Sequence, residues 1–475
     1  MANLKYSISK LIGKLTYQVL KVMTTGGKAY PGYLYLKNMG VENLNMLIKD
    51  QIRDGSILIT GTNGKTTTTT MIIELFNRFY DITKSVDNNT IYALTTAILA
   101  KKSDIGIFEY GIRDIEHGQP QNVQSQVKPM GVIYTNISRE HTQVLGVKKL
   151  FKDYVKAKNM LSEGMHGGII ITNADDPNTT YIGCERQKDE NHVIYYGFDV
   201  DNITDESIGD VACPYCDKPL TYTHNFMNQR GKYSCECGFR RVEPDIKVTS
   251  VEITTTNMNI KIEGEVYNRT LDDKISVDVE YKLPLFGTYN IYNVLAATTA
   301  YAAFTSRVDQ LKDDLESYFD SLSFSILPPG RFEVVELANK KVGIGQGDNG
   351  DALNANVNFM KQIINGNDFE FIYTTADENE EEIFKDHMHV IKNSKPTHIS
   401  VMPGRVSTDA ARKYYDEIEK TGLNCDFTSV EYDFEKRVDA IIDLIKKSEY
   451  EYVIVTGCGE EQVVWDEVKN RLKKQ

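Results

Sequence analysis

Residues 57–75 read Ile57-Leu58-Ile59-Thr60-Gly61-Thr62-Asn63-Gly64-Lys65-Thr66-Thr67-Thr68-Thr69-Thr70-Met71-Ile72-Ile73-Glu74-Leu75, and this stretch decides the fold. The apolar run at its start has the length and residue types of a buried parallel strand. A glycine turn follows, and then Lys-Thr opens a run with helical apolar spacing at Met71, Ile72, Leu75 and Phe76. Strand, glycine loop, Lys-Thr and helix make a phosphate cradle. Backbone N–H groups of the loop and the helix N-terminus face an anion, with Gly61, Thr62, Asn63, Gly64, Lys65, Thr66 and Thr67 as its candidate residues. Lys65 supplies charge and the Thr66 hydroxyl suits Mg²⁺. Only Thr62 and Asn63 separate the two glycines, where the commoner phosphate loop has four residues. The expected ligand is ATP.

Outward from this loop, 475 residues allow two to four domains, each with its own core. The net charge of −13 argues against a nucleic-acid partner, which calls for a basic footprint. No apolar run has the roughly 18–20 residues of a membrane span, and no signal peptide is visible. From 57 to about 212 strand and helix patterns alternate, as in a doubly wound sheet, with strands expected at 57–60, 105–110, 131–136, 168–172 and 192–196. Glu109 closes the second of these, where a carboxylate can reach Mg²⁺ on the phosphates; the plainer reading is a solvated strand-end acid. Alternating residues over 245–281 read as a β-hairpin or small meander. Strand and helix alternate again over 334–475, with strands at 370–374, 398–402 and 452–456.

Four of the seven cysteines fall within 213–237, as Cys213-Pro-Tyr-Cys216 and Cys235-Glu-Cys237. Two knuckles flanking a hairpin-like segment suit a tetrahedral Zn²⁺, and four thiolates leave no open position, so the expected role is structural. Residues 1–50 depart from the acidic balance: Lys5, Lys10, Lys14, Lys21, Lys28 and Lys37 all precede the first acid, Glu42. Leu4, Ile8, Leu11, Ile12, Leu15, Val19, Leu20 and Met23 recur at helical spacing. Two readings stand: a basic amphipathic helix on an anionic membrane surface, or a helix packed on the core with its lysines in water.

The tight Gly-Thr-Asn-Gly-Lys-Thr-Thr loop resembles that of the Mur ligase superfamily, and further stretches carry the resemblance. Thr135-Asn136-Ile137-Ser138-Arg139-Glu140-His141 resembles an element in which the His binds a second metal, although a lone His after a strand is more often a loop residue. Ala157-Lys158 resembles the stretch whose lysine is carbamylated in ligases that add amino acids; Lys158 is the first candidate, Lys156 the second, and an exposed helical lysine the plainer reading. Asn173-Ala174-Asp175-Asp176-Pro177 looks like a family turn that caps the next helix. Gly287-Thr-Tyr-Asn290-Ile-Tyr-Asn293 resembles an element that contacts the nucleotide, with Asn290 the chosen residue and a helix cap its rival. Gly330-Arg331-Phe332-Glu333 resembles the hinge before a C-terminal domain, from which Arg331 reaches the phosphates on closure.

The resemblance implies an α/β architecture: a short amphipathic segment at 1–50, a central ATP-binding domain at 51–328 with a zinc ribbon inserted at 210–242, and a smaller α/β domain at 329–475. It implies ATP, Mg²⁺ held by Thr66, Glu109 and His141, and Zn²⁺ on the cysteines, with Lys65, Glu109, His141, Lys158 and Arg331 as catalytic candidates. The ribbon and the short N-terminal segment resemble MurT, the ATPase subunit of lipid II isoglutaminyl synthase. The loop 345–351 departs both from amino-acid ligases and from MurT, and 374–384 lacks MurT's aspartate motif. The reading favoured is therefore a stand-alone ligase that adds an amino acid to a nucleotide- or lipid-linked cell-wall peptide precursor, of murein or pseudomurein type. The alternative is a MurT-type subunit using ammonia from a glutaminase partner. Either implies a cytoplasmic protein, with 1–25 as its contact with the inner membrane surface if the first reading of that helix holds.

Overall fold

In the computed structural model of the chain, residues 2–23, 29–86, 90–112, 114–138, 143–144, 147–148, 151–204, 211–227, 230–254, 257–323, 330–378, 380–458 and 462–474 are described. The central sheet has nine strands among these residues, ordered Asp273–Leu283, Met258–Asn268, Ile246–Ile253, His192–Phe198, Ile169–Asn173, Gly131–Tyr134, Ile52–Thr60, Ser103–Glu109 and Ile82–Ser85. Ile246–Ile253 and the six strands beyond it run parallel, while the first two strands of the order complete an antiparallel meander. The expected doubly wound sheet is present. The meander is part of it rather than a separate unit, because Ile246 pairs with Tyr196 and Val248 with Phe198. Ile57, Leu58 and Ile59 are wholly buried, as a strand covered on both faces demands.

The loop sits at the carboxyl end of the Ile52–Thr60 strand, with Gly131–Tyr134 on one side and Ser103–Glu109 on the other. Register pairs Ile59 with Glu109 and Thr60 with Tyr134, so Glu109 and Thr135-Asn136 flank the loop at one height. Crevices at strand carboxyl ends are where open α/β sheets take ligands. Behind the loop, the helices Lys65–Asn77 and Tyr289–Phe304 pack together, and every residue of the latter except Tyr289 is buried.

A second sheet of six strands is ordered Glu333–Leu337, Lys340–Gln346, Tyr452–Gly457, Phe369–Thr374, His398–Met402 and Cys425–Phe427. Only its first pair is antiparallel. The expected C-terminal strands lie within it.

The N-terminal helix Ala2–Met23 packs through small and polar residues. Ser9 is buried, a Cβ on Gly13 would come within 2.8 Å of Leu99, Tyr6 Oη donates to Asp50 at 2.6 Å, and Lys10 pairs with the same carboxylate. Its opposite face is apolar and exposed: Leu4, Ile8, Leu11, Leu15, Val19 and Val22 form one stripe, with Val22 86% exposed. No helix of the described residues is long and apolar enough to cross a membrane.

Candidate nucleotide site and zinc ribbon

Two glycines shape the loop. Gly64, at the N-cap of the helix Lys65–Asn77, has φ +79°, and a Cβ there would lie 2.2 Å from Asn293 Oδ1. At Gly61 a Cβ would lie 1.9 Å from Thr135 Oγ1. The loop is lashed to the neighbouring strand end. Thr62 N donates to Asn136 O at 2.7 Å, Asn63 N to Asn136 Oδ1 at 3.1 Å, and Thr135 Oγ1 and Asn136 Nδ2 each donate to Asn63 O at 2.8 Å. No side chain among the described residues caps the helix, so its first N–H groups remain for an anion. Lys65 Nζ folds back onto Thr62 O at 2.7 Å.

Thr66 Oγ1 donates to Glu109 Oε1 at 2.9 Å. Two oxygens in adjacent positions of an octahedral Mg²⁺ with bonds of about 2.0–2.1 Å would lie about 2.9 Å apart. The pair fits that ion, with Glu109 almost fully buried at the strand end where the sequence places it. Lys158 is 1% exposed, donates to Gly61 O at 2.8 Å and stands 4.6 Å from the centre of the Tyr154 ring. It is therefore no solvated helical lysine: it braces the phosphate loop from below. Tyr154 Oη in turn meets Thr62 Oγ1 at 3.1 Å. His141 lies outside the described residues.

A cleft opens beside the loop, with Gly64 and Thr67 in its lining. Asn63, Gly64, Thr67, Asn136, Asn293 and Tyr289 form one wall, and Arg331, Gln346, Asp351 and Asn356 of the C-terminal part form the other. Asn290, expected on the nucleotide, is turned inward. Its Nδ2 donates to Phe286 O, its Oδ1 accepts from Asn293 Nδ2 at 2.8 Å, and Asn293 is the amide that reaches the cleft. A helix presents residues three apart at slightly different angles, and here only the second faces outward. Arg331 lines the cleft, and its buried Nε finds no hydrogen-bond partner among the described residues. The sequence reading passed over Arg230, which also lines this cleft. Its only signal there is the Arg230-Gly231 turn between the cysteine knuckles.

The cysteine Sγ atoms lie within 4.8 Å of one another, Cys213 to Cys237 at 3.6 Å and Cys216 to Cys235 at 3.5 Å. Thiolates bound tetrahedrally to Zn²⁺ at about 2.3 Å stand about 3.8 Å apart, so the four fit this ion and leave it closed. The Phe239 backbone N–H pulls the Cys237 thiol down to about 7, while burial pushes Cys213 up to about 12. Asp175 ties the ribbon to the sheet. It accepts from Gly231 N at its carbonyl at 2.9 Å, and its carboxylate takes Arg241 Nε at 2.7 Å, Phe198 N at 2.8 Å and Tyr292 Oη at 2.8 Å. Asp176 caps the helix Pro177–Gln187 through Asn178 N and Thr179 N, both at 2.9 Å, as the turn implied.

A strand-loop-helix cradle with a hydroxyl and a carboxylate spaced to suit Mg²⁺ is the arrangement of an α/β site for a phosphate-bearing ligand. Comparison with known proteins narrows this class. Residues 59–213 match the Mur ligase middle domain. The chain is 27% identical over 320 residues to the lipid II isoglutaminyl synthase (glutamine-hydrolyzing) subunit MurT of Streptococcus pneumoniae, covering 65% of each chain. The fold is that of a pseudomurein peptide ligase type C from Methanothermus fervidus (TM-score 0.63, 22% identity, 90% of this chain and 80% of that one). It is also that of MurF ligase from Thermotoga maritima in complex with ADP (TM-score 0.57, 13% identity, 91% and 82%). Residues 59–213 thus match a Mur ligase middle domain, and the chain is similar to MurT in sequence and to Mur ligases in fold.

Proposed function

We propose that this chain is an ATP-dependent carbon–nitrogen ligase that activates a carboxylate of a cell-wall peptide precursor and joins an amino acid to it. The observation that carries this reading is the arrangement of Thr66 and Glu109, 2.9 Å apart, at the mouth of a loop braced by Lys158. Thr66 and Glu109 would hold Mg²⁺, which supplies Lewis-acid relief of the charge that builds on the transferring phosphoryl group. Lys65 and the uncapped helix N-terminus stabilise that charge electrostatically. The precursor carboxylate attacks the γ-phosphorus and ADP leaves. The amine then attacks the acyl carbon of the acyl phosphate, losing a proton, and phosphate departs with one former carboxylate oxygen. The cleft beside Gly64, with Arg331 and amides from Asn136, Asn293, Gln346 and Asn356 in its lining, has donors and acceptors for the nucleotide whose phosphates the loop begins to hold. A carbamylated Lys158 would add an acidic oxygen near the loop. The domain bounds expected from sequence, 51–328 and 329–475, are part of the same reading, with the cleft as the seam that closes.

The alternative, a MurT-type subunit amidating a precursor with ammonia from a glutaminase, is favoured by the similarity to the pneumococcal MurT. We favour the stand-alone ligase because the 374–384 stretch lacks MurT's motif and because Lys158 braces the loop. The precursor, nucleotide- or lipid-linked, is met at the cytoplasmic membrane face. The exposed stripe Leu4-Ile8-Leu11-Leu15-Val19-Val22, flanked by lysines, fits an anionic bilayer. Phosphate release with glutamyl or peptide precursors, comparing amino acids with ammonium and weighing the product, tests the function. An amino-acid adduct from the chain alone supports the ligase, and amidation by ammonium alone overturns it. Vesicle sedimentation tests the stripe: binding to anionic but not zwitterionic vesicles, lost in Leu11→Glu/Leu15→Glu, is expected, and equal sedimentation of both proteins would refute it.

A further inference from the structure

The cysteine ribbon is more than a staple, because the second strand of its hairpin begins at the cleft beside the phosphate loop. Strands Thr221–Met227 and Arg230–Ser234 form that hairpin, and the second runs directly into Cys235. Arg230 opens the second strand, is only 9% exposed, and lines the cleft together with Asn63, Gly64 and Thr67 of the phosphate loop. Its guanidinium stands 5.0 Å from the centre of the Tyr292 ring, and Tyr292 is itself stacked on Phe198 at 4.1 Å. Among the described residues no carboxylate lies within ion-pairing distance of it. Asp176 shares a charge interaction with Arg230, but its oxygens accept from the Pro177–Gln187 helix cap and Ile137 N, while those of Asp175 accept from Arg241, Phe198 N and Tyr292.

A buried guanidinium held off from direct contact with any carboxylate is costly. One aromatic face offsets part of that cost and leaves the N–H edge to be satisfied. The wall it shares with the phosphate loop says by what. Arg331 stands in the same cleft from the C-terminal part, its buried Nε without a hydrogen-bond partner among the described residues. Two guanidinium groups, one on each side of a cleft that begins at an uncapped helix N-terminus, suit a polyanion.

We propose that Arg230 is a nucleotide-contacting residue, donating to phosphate oxygens of bound ATP or ADP, and that the metal-bound ribbon serves to hold it in the cleft. The assignment rests on the nucleotide reading of the phosphate loop. Placement on a hairpin knotted by four cysteines and anchored on Asp175 gives a long side chain a rigid base. The ribbon thereby becomes part of the binding site: loss of its metal releases Arg230 without touching the loop.

Calorimetric titration of ADP into the zinc-loaded full chain tests this, using wild type, Arg230→Gln, Arg230→Lys and Lys65→Ala, with adenosine as the ligand lacking phosphates. Arg230→Gln is expected to weaken ADP about ten- to hundred-fold, as loss of a charge-assisted bond does. Arg230→Lys should recover part of that affinity, and both variants should keep wild-type zinc content and melting temperature. Adenosine should bind wild type and Arg230→Gln equally. Stripping zinc should weaken ADP for wild type but add little in Arg230→Gln, since the two changes remove one contact. Equal ADP affinity of Arg230→Gln and wild type overturns the proposal, as does an equal further loss on zinc removal in both proteins. If wild type and Lys65→Ala alike fail to bind ADP, the nucleotide reading itself fails, which is a separate result.

Discussion

Gly64→Ala is the sharpest perturbation of the phosphate loop. Its cost can be worked out contact by contact. A left-handed backbone at φ +79° costs a residue with a Cβ about 1–2 kcal/mol. The new methyl would also stand 2.2 Å from Asn293 Oδ1, so that amide must move. Moving it breaks the bond from Thr68 Oγ1 at 3.1 Å and strains the one from Asn293 Nδ2 to Asn290 at 2.8 Å. Each is buried and contributes about 1 kcal/mol net. The sum is about 3–4 kcal/mol, a large share of the 5–15 kcal/mol typical of a domain. Equilibrium urea unfolding followed by the far-UV signal measures it, with ADP titration on the same protein as the functional readout. A stability loss below about 1 kcal/mol would refute the reasoning, and so would ADP affinity within two-fold of wild type.

Three further outcomes follow from the same geometry. Glu109→Gln keeps a hydrogen-bonding oxygen beside Thr66 but removes the charge, so turnover should fall about 100-fold or more while the melting temperature stays put; Mg²⁺-titrated phosphate release checks it. Lys158→Ala should abolish turnover, and restoration by added short carboxylic acids would mark a lost carbamate oxygen, whereas unchanged turnover would dismiss Lys158. His387 is fully buried between Tyr373 Oη at 3.0 Å and the Cys458 thiol, and burial lowers its pKa to about 4. The unfolded chain therefore binds the extra proton, so stability is full above about pH 6.5 and falls by about 3 kcal/mol as pH drops to 4. Urea midpoints across that range should slope less in His387→Gln, and parallel slopes would contradict the assignment.

The phosphate loop was legible because strand, turn and helix are local, each written in its own residues from Ile57 to Leu75. Cysteine spacing and the Asp176 cap were legible for the same reason. What escaped depends on contacts between distant parts of the chain. Lys158 meets Gly61 across 97 residues and Thr68 meets Asn293 across 225, so neither bond has a sequence signature. The choice between Asn290 and Asn293 turned on a difference in helical angle that only the neighbouring loop resolves. Arg230 read as a turn residue because the cleft it enters is built by elements on both sides of the ribbon. The N-terminal helix shows the other limit: its apolar periodicity predicted the helix, but not that Ser9 and Gly13 would face inward and the leucines outward.

The central claim is that a carboxylate is activated by phosphoryl transfer at the loop of Gly61 to Thr67. Precursor labelled with ¹⁸O in its carboxylate, turned over with ATP and the accepted amine, tests it most directly, with mass spectrometry of the released phosphate. The account predicts one ¹⁸O in each phosphate formed, because the acyl oxygen leaves with phosphorus. Phosphate free of label alongside formation of the amide would contradict it.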